Sequence, residues 1–307
     1  MRTRARRAGA GITGMLGVLG WSAAAAAQPG LGFVNWETPH VHPLDLTPDR
    51  TRLLAVNTAD NRLEVYDVAT GLPAPVGAVP VGLDPVSVRA RTNTEAWVVN
   101  HVSDTVSVVD LNTMNVTMTL RTGDEPADVV FAAGKAFVSV SQLNHVKVFD
   151  LANLAAPPLV VPIEGEDPRA LATDGTRVYA AIFESGNQTT ILGQPVVSSA
   201  ANPYPGDQNP PPNAGAGFDP PLAPGLPPAP DVGLIVKRAP DGTWRDDNGG
   251  NWSSSVGWSL HDHDVAIIDA ATLGVTYATG LMNLNMALGV RPDGQVTVVG
   301  TEALNQV

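Results

Sequence analysis

Two short stretches of the chain, His40-Val41-His42 and His261-Asp262-His263-Asp264, each set a pair of imidazoles one residue apart. On a strand, alternate residues share a side, so either pair offers two nitrogens to a borderline metal such as copper or zinc. With His101 they form the candidate metal set: His40, His42, His101, His261 and His263. The plainer alternative is that His42 fills a turn position and His263 caps a strand, because an imidazole ligand needs an outer shell to fix it. A second chemistry resides in Asp84, Glu125 and Asp167, each directly before a proline. Converging carboxylates would attract a cation or a basic ligand, whereas a recurring acid–proline pair also shapes a turn. Asp246, Asp247 and Asn248, followed by Gly249, Gly250 and Asn251, gather oxygens loosely in the manner of a calcium loop. They lack the regular alternation and the closing bidentate Glu, so a solvated turn competes with that reading. Trp244, Trp252 and Trp258 offer a flat platform for a carbohydrate or aromatic ligand, or an anchor for their own segment. No Gly-x-Ser-x-Gly elbow, phosphate-cradling glycine loop or paired-carboxylate signature stands out, so no catalytic residue is assigned.

What must position these residues is a repeat. Leu53 to Asp67 reads LLAVNTADNRLEVYD, Trp97 to Asp110 reads WVVNHVSDTVSVVD, and Phe137 to Asp150 reads FVSVSQLNHVKVFD. The closing aspartates Asp67, Asp110 and Asp150 are 43 and 40 residues apart, and the acids before proline are 41 and 42 apart. His42-Pro43 occupies the acid–proline place one period earlier. Two independent markers sharing one period of about 40–45 residues match a propeller blade of four short strands. Within one period, Val86 to Ala90, Glu95 to Val99, Thr105 to Asp110 and Val116 to Leu120 read as strands separated by Asn, Asp, Gly and Thr turns. The expected fold is all-β: a β-propeller whose blades bury their faces against one another.

The unit AWVVNHVSDTVSVVDLNTMNVTMTLRTGDEPADVV, from Ala96 to Val130, resembles the YVTN β-propeller repeat of bacterial surface-layer and periplasmic proteins. The resemblance covers residues 40 to 190 well and 262 to 307 more loosely. It implies a binding or scaffold protein, and it leaves activity open because fold alone does not assign one. Similar propellers in copper- and haem-dependent nitrogen-oxide reductases carry His ligands near the central channel. Those enzymes have more histidines, and cofactor signatures that this chain lacks. Lactonases share the general architecture, which keeps a hydrolase as a third reading.

Outside the repeat, Arg2, Arg4, Arg6 and Arg7, an apolar run to Ala24, and Ala25-Ala26-Ala27 have the order of a signal peptide cleaved before Gln28. Five glycines between Gly9 and Gly20 and the shortness of the run argue against a membrane anchor. Export to the periplasm, the cell surface or the medium is expected. Arg6-Arg7 would suit twin-arginine transport, but the large apolar residue that should soon follow is missing, so the route stays open. Cleavage removes four of the 18 Lys and Arg and none of the 30 Asp and Glu, moving the net charge from −12 to −16. Such a surface repels nucleic-acid phosphates and anionic lipid headgroups. With no cysteine, the chain forms no disulfide, haem attachment through Cys-x-x-Cys-His, iron–sulfur cluster or thiolate zinc site.

The expected domain, 28–307, departs from the repeat twice. The fourth unit opens normally at Asp167, but residues 192–261 intervene before Asp262 to Gly280 supplies its third and fourth strands. This insertion is rich in Pro and Gly between Pro203 and Pro230 and then carries Trp244, Trp252 and Trp258. The last unit, from Ala287, halts after what should be its second strand, leaving about four and a half blades. Continuation of the natural protein beyond Val307 is the preferred expectation; closure by dimerisation, or by Leu31 to Trp36 pairing with the last strand, is the alternative. The leading functional expectation is a binding or scaffold module that meets a protein, small-molecule or carbohydrate ligand through its loop-rich face and insertion. The alternative is the propeller part of a larger periplasmic haem or copper enzyme with a further C-terminal domain. Taken alone, the segment is expected to bind rather than catalyse. No cofactor is demanded by it; copper or zinc at the histidines and calcium at Asp246, Asp247 and Asn248 are the candidate ions.

Overall fold

Strands form here because short runs of β-branched and aromatic residues, whose side chains suit a pleated surface, alternate with Asx- and Gly-containing turns. The computed structural model describes residues 38–199 and 233–302, all within the compact unit Glu37–Val307. Residues 1–27, where a signal peptide is expected, Leu31 to Trp36 and the proline-rich stretch from Pro203 to Pro230 lie outside the described residues. The first blade comprises β1 (Leu44–Leu46), β2 (Arg52–Asn57), β3 (Arg62–Asp67) and β4 (Ala74–Pro80). The second comprises β5 (Pro85–Ala90), β6 (Glu95–Asn100), β7 (Thr105–Asp110) and β8 (Asn115–Arg121). The third comprises β9 (Pro126–Ala132), β10 (Lys135–Val140), β11 (His145–Asp150) and β12 (Leu159–Pro162). Each is an antiparallel meander in which sequence neighbours pair.

The fourth blade has the same order but a break in the chain path. Its strands are β13 (Glu166–Thr173), β14 (Arg177–Glu184), β18 (Val265–Asp269) and β19 (Val275–Ala278). Between β14 and β18 the chain forms a separate antiparallel sheet of β15 (Thr189–Leu192), β16 (Leu234–Arg238) and β17 (Trp244–Arg245), with a short helix α1 (Gln194–Ser199). Its sheet starts at Thr189, three residues ahead of the boundary expected from composition. Finally β20 (Leu284–Val290) and β21 (Val296–Thr301) form an antiparallel pair, joined to the fourth blade by one bridge, Glu184 to Leu284. The described residues therefore hold four four-stranded blades and two strands of a fifth, an all-β propeller architecture.

Period-2 alternation explains how the blades hold together. On β6, Ala96 and Val98 face the first blade, whereas Trp97 and Val99 face the third. On β10, Ala136 and Val138 point back to the second blade and Phe137 forward to the fourth. Strands β6 and β10 are thus apolar on both sides and each feeds two cores, and each such buried side chain contributes roughly 1.5–3 kcal/mol. The outer strand β8 is mostly exposed, as befits the rim. The innermost strands β1, β5, β9, β13 and β20 follow one another in contact. In β5, β9, β13 and β20 the pairing slips near the strand start, a bulge that sharpens the local twist.

Candidate functional site

The acid–proline pairs mark the loop-rich end of the blades, and the geometry there is a repeated latch. Asn61, Asp104 and Asn144 sit in the turn after each second strand with φ of 55°, 57° and 48°, a left-handed conformation that Asn and Asp tolerate best. Their side-chain oxygens accept the backbone N–H of Asp84 (2.7 Å), Glu125 (3.2 Å) and Asp167 (2.9 Å) in the next blade. Those three acids are left-handed as well, at 56°, 56° and 59°. One residue past the second strand, Thr58, His101 and Ser141 donate to the carbonyls of Pro85 (2.7 Å), Pro126 (3.1 Å) and Pro168 (3.2 Å). The carboxylates themselves point to separate neighbours. Glu125 lies 3.6 Å from His101 Nε2, Asp167 lies 3.9 Å from Arg169, and Asp84 Oδ2 is buried without a hydrogen-bond partner.

The histidines are distributed over three seams. His40 Nε2 meets Thr58 Oγ1 at 2.5 Å, and since that hydroxyl gives its proton to Pro85, the imidazole is the donor. His42 joins β5 through its backbone, its N–H reaching Val86 O and Ser87 Oγ and its carbonyl accepting from Val88. Burial, then the Arg89 guanidinium, lower its imidazole pKa, against the opposing pull of Asp128 and Asp45. His101 spends Nδ1 on the latch to Pro126. His263 donates from Nδ1 to the Glu164 carbonyl and stacks on Tyr277, with ring centroids 3.9 Å apart. His261 stacks on His263 at 5.4 Å with planes within 14°. Near-parallel rings aim their in-plane lone pairs side by side, so one ion does not meet both without a ring turning. Among the described residues no group of three or more His, Asp or Glu is placed to hold a metal ion.

One buried ion pair was not foreseen. Arg89 on β5 forks onto Asp128 on β9 at 3.2 and 2.8 Å and also donates to Leu171 O on β13, while Asp128 accepts the Leu171 N–H at 2.9 Å. It ties three innermost strands together, and its trace in the sequence is the single charge on each of the inner strands β5 and β9.

The insertion has its own small core of Leu192, Val197, Val236 and Trp252, flanked by Leu234, Trp244 and Val256. Trp252 Nε1 donates to Asp246 Oδ2 at 2.8 Å, and Asp246 Oδ1 accepts the N–H groups of Asn248 and Gly250, both at 2.9 Å. Asp246 thus turns its oxygens onto the loop's own amides, while Asp247 and Asn248 remain exposed. Trp258 is 67% exposed.

Between this insertion and the fourth blade lies an open cleft of about 500 Å³, lined by Gln188, Arg238, Trp244, His261, Asp262 and Thr279 among others. Arg238 and Trp244 are cross-strand partners on β16 and β17, hence neighbours on one sheet face. Asp262 is held by the Gly280 N–H (3.0 Å) and the Gln188 amide (2.9 Å). Asp264 is buried beneath it, accepting the N–H groups of Leu281 and Met282 and the Asn285 amide. The same loop-rich end exposes Leu83 (54%), Val102 (58%) and Leu143 (47%) beside the latch acids. Of the site residues expected from sequence, the cleft gathers Trp244, His261 and His263; the remaining ones sit at the seams or within the insertion.

No family model matches the chain, and no curated protein matches it. Among solved structures it is similar to one described as Kuenenia stuttgartiensis hydrazine synthase, at 15% identity and a TM-score of 0.45, over 89% of this chain and 99% of that one.

Proposed function

We propose that this chain is the binding or scaffold module of an exported, YVTN-type β-propeller, and that the loop-rich end bearing the latch acids and the insertion is its contact surface. The carrying observation is the set of exposed aliphatic side chains Leu83, Val102 and Leu143 on that end. They stand among the carboxylates of Asp84, Asp104, Glu125 and Asp167, which serve the latches through backbone or side-chain contacts and still bring negative charge. Apolar contact in an acidic surround suits a partner segment that is aliphatic and basic, in keeping with the chain's net charge of −12.

Fluorescence anisotropy with a labelled peptide of alternating Lys and Leu tests the reading against a Lys/Ser and a Glu/Leu peptide of equal length. The Lys/Leu peptide should bind at least tenfold tighter than either control. The triple variant Leu83→Ser, Val102→Ser, Leu143→Ser should lose that preference while keeping its midpoint of thermal unfolding. Equal binding of the Lys/Ser peptide would reduce the contact to unspecific charge and sink the proposal. Export is checked by the intact mass of the protein from its producing cells: a chain starting at Gln28 supports it, and retention of Met1 to Ala27 contradicts it.

A further inference from the structure

We infer that the cleft between the insertion and the fourth blade is a binding site for a small, flat carboxylate, a site separate from the docking of a protein partner. The argument begins with charge. In this acid-rich chain several described arginines find a carboxylate: Arg62 pairs with Asp60, Arg89 with Asp128, Arg91 with Glu95, and Arg245 with Asp241. Arg238 is exposed in the cleft and its guanidinium makes no ion pair or hydrogen bond among the described residues. The one carboxylate lining the cleft among the described residues, Asp262, has an oxygen on the Gly280 N–H and the other on the Gln188 amide. The cleft therefore presents a cation whose five donors are unspent. A guanidinium binds a carboxylate through two parallel N–H bonds, a geometry that a point charge cannot reproduce.

Shape supplies the rest of the chemistry. Trp244 stands across the β16–β17 ladder from Arg238, so the indole and the guanidinium leave the same face of that sheet and both line the cleft. The cleft is also lined by His261, just ahead of the fourth blade's β18, which caps the stack His261–His263–Tyr277. That stack is fixed from beneath, because His263 Nδ1 donates to Glu164 O and Tyr277 Oη accepts the Glu164 N–H at 2.8 Å. The outer His261 ring is left exposed at the cleft. Aromatic surfaces from Trp244 and His261, together with a guanidinium, select a planar body with one carboxylate. A volume of about 500 Å³ admits one or two fused rings. The Gln188 Oε1 acceptor, left over once its amide N–H is given to Asp262, and the Thr279 hydroxyl are there to hydrogen-bond polar substituents.

The test is isothermal titration of the full chain with 2-naphthoate, 2-naphthamide and acetate. The amide removes the charge and acetate removes the plane. Naphthoate should saturate a single site, with the other two at least tenfold weaker. Arg238→Gln should weaken naphthoate at least tenfold with unchanged thermal stability, since that side chain supports nothing else. His261→Ala should weaken it about threefold, and Trp244→Phe, which keeps an aromatic face and the insertion's core, should retain most of the binding. The variant Leu83→Ser, Val102→Ser, Leu143→Ser should bind naphthoate as the parent does, which separates this site from the docking surface. Absence of binding at millimolar naphthoate, equal affinity for the amide, or indifference to Arg238→Gln would each overturn the assignment.

Discussion

Arg89 and Asp128 show what one charged pair does when most water is removed from it. The Asp128 carboxylate is 1% exposed and satisfies the Arg89 fork, the Leu171 N–H and its own neighbour Val129 N–H. Removing one member strands the other, so Asp128→Ala should cost about 3–5 kcal/mol in urea unfolding. The double change Arg89→Met with Asp128→Leu should cost less than that single change, because no charge is then left unpaired. A double variant less stable than Asp128→Ala would show that the pair is worth more than its burial costs. The acids before proline were plain in the sequence, but their partners were not: Asn61, Asp104 and Asn144 belong to the preceding blade. Nothing local in a turn such as His101–Asp104 reveals that its last residue reaches Glu125. His101 carries a role that its residue type alone does not announce: its Nδ1 goes to Pro126, the place Thr58 and Ser141 fill with hydroxyls in the neighbouring blades.

Elements were more legible than residues. The four strands read between Val86 and Leu120 are β5 to β8 with ends moved by one residue or so, because alternation and turn chemistry are local signals. The fourth blade was legible in part: β13 and β14 follow the repeat, whereas the insertion's sheet depends on β15 and β16, which are separated by residues 193–233 and so leave no local hairpin signature. The turn between β4 and β5 gives the prediction at this scale. A methyl group on Gly82 would lie 2.4 Å from Ser103 Oγ and 2.7 Å from Asn100 Cβ, and Asn100 is fully buried. Gly82→Ala should therefore destabilise by about 1–3 kcal/mol through overpacking, read as a lowered urea midpoint. Gly257→Ala, where a methyl meets nothing within 4 Å, is the control and should leave the midpoint in place.

For the molecule as a whole, Asp110 and Asp269, two of the aspartates that close a third strand, contribute to the response to acid. Asp67, Asp110, Asp150 and Asp269 each accept the N–H two residues on, at 2.8, 2.7, 2.9 and 3.0 Å, which explains why they recur with the repeat. The Thr113 N–H, then that of Asn112, lower the Asp110 pKa, and the Thr272 N–H does the same for Asp269. A carboxylate whose folded pKa lies below its unfolded value stabilises the fold above that unfolded value, near 4, and the contribution drains away as pH falls through the folded one. The urea midpoint should accordingly be flat in these groups from pH 7 to 5 and decline below about pH 4. Asp110→Asn with Asp269→Asn, which keep an accepting oxygen without the titration, should shallow that decline. The whole-molecule layout also carries a lesson about tolerance. Strands β14 and β18 keep full register from Arg177–Asp269 to Ala181–Val265 although residues 185–264 run between them, where the second blade uses only residues 101–104. Lengthening a flexible loop that far costs only about 2.7 kcal/mol of closure entropy. This corner of the propeller is therefore a ready-made port, where a reporter or a foreign domain with adjacent termini can be spliced in while the blades go on folding around it.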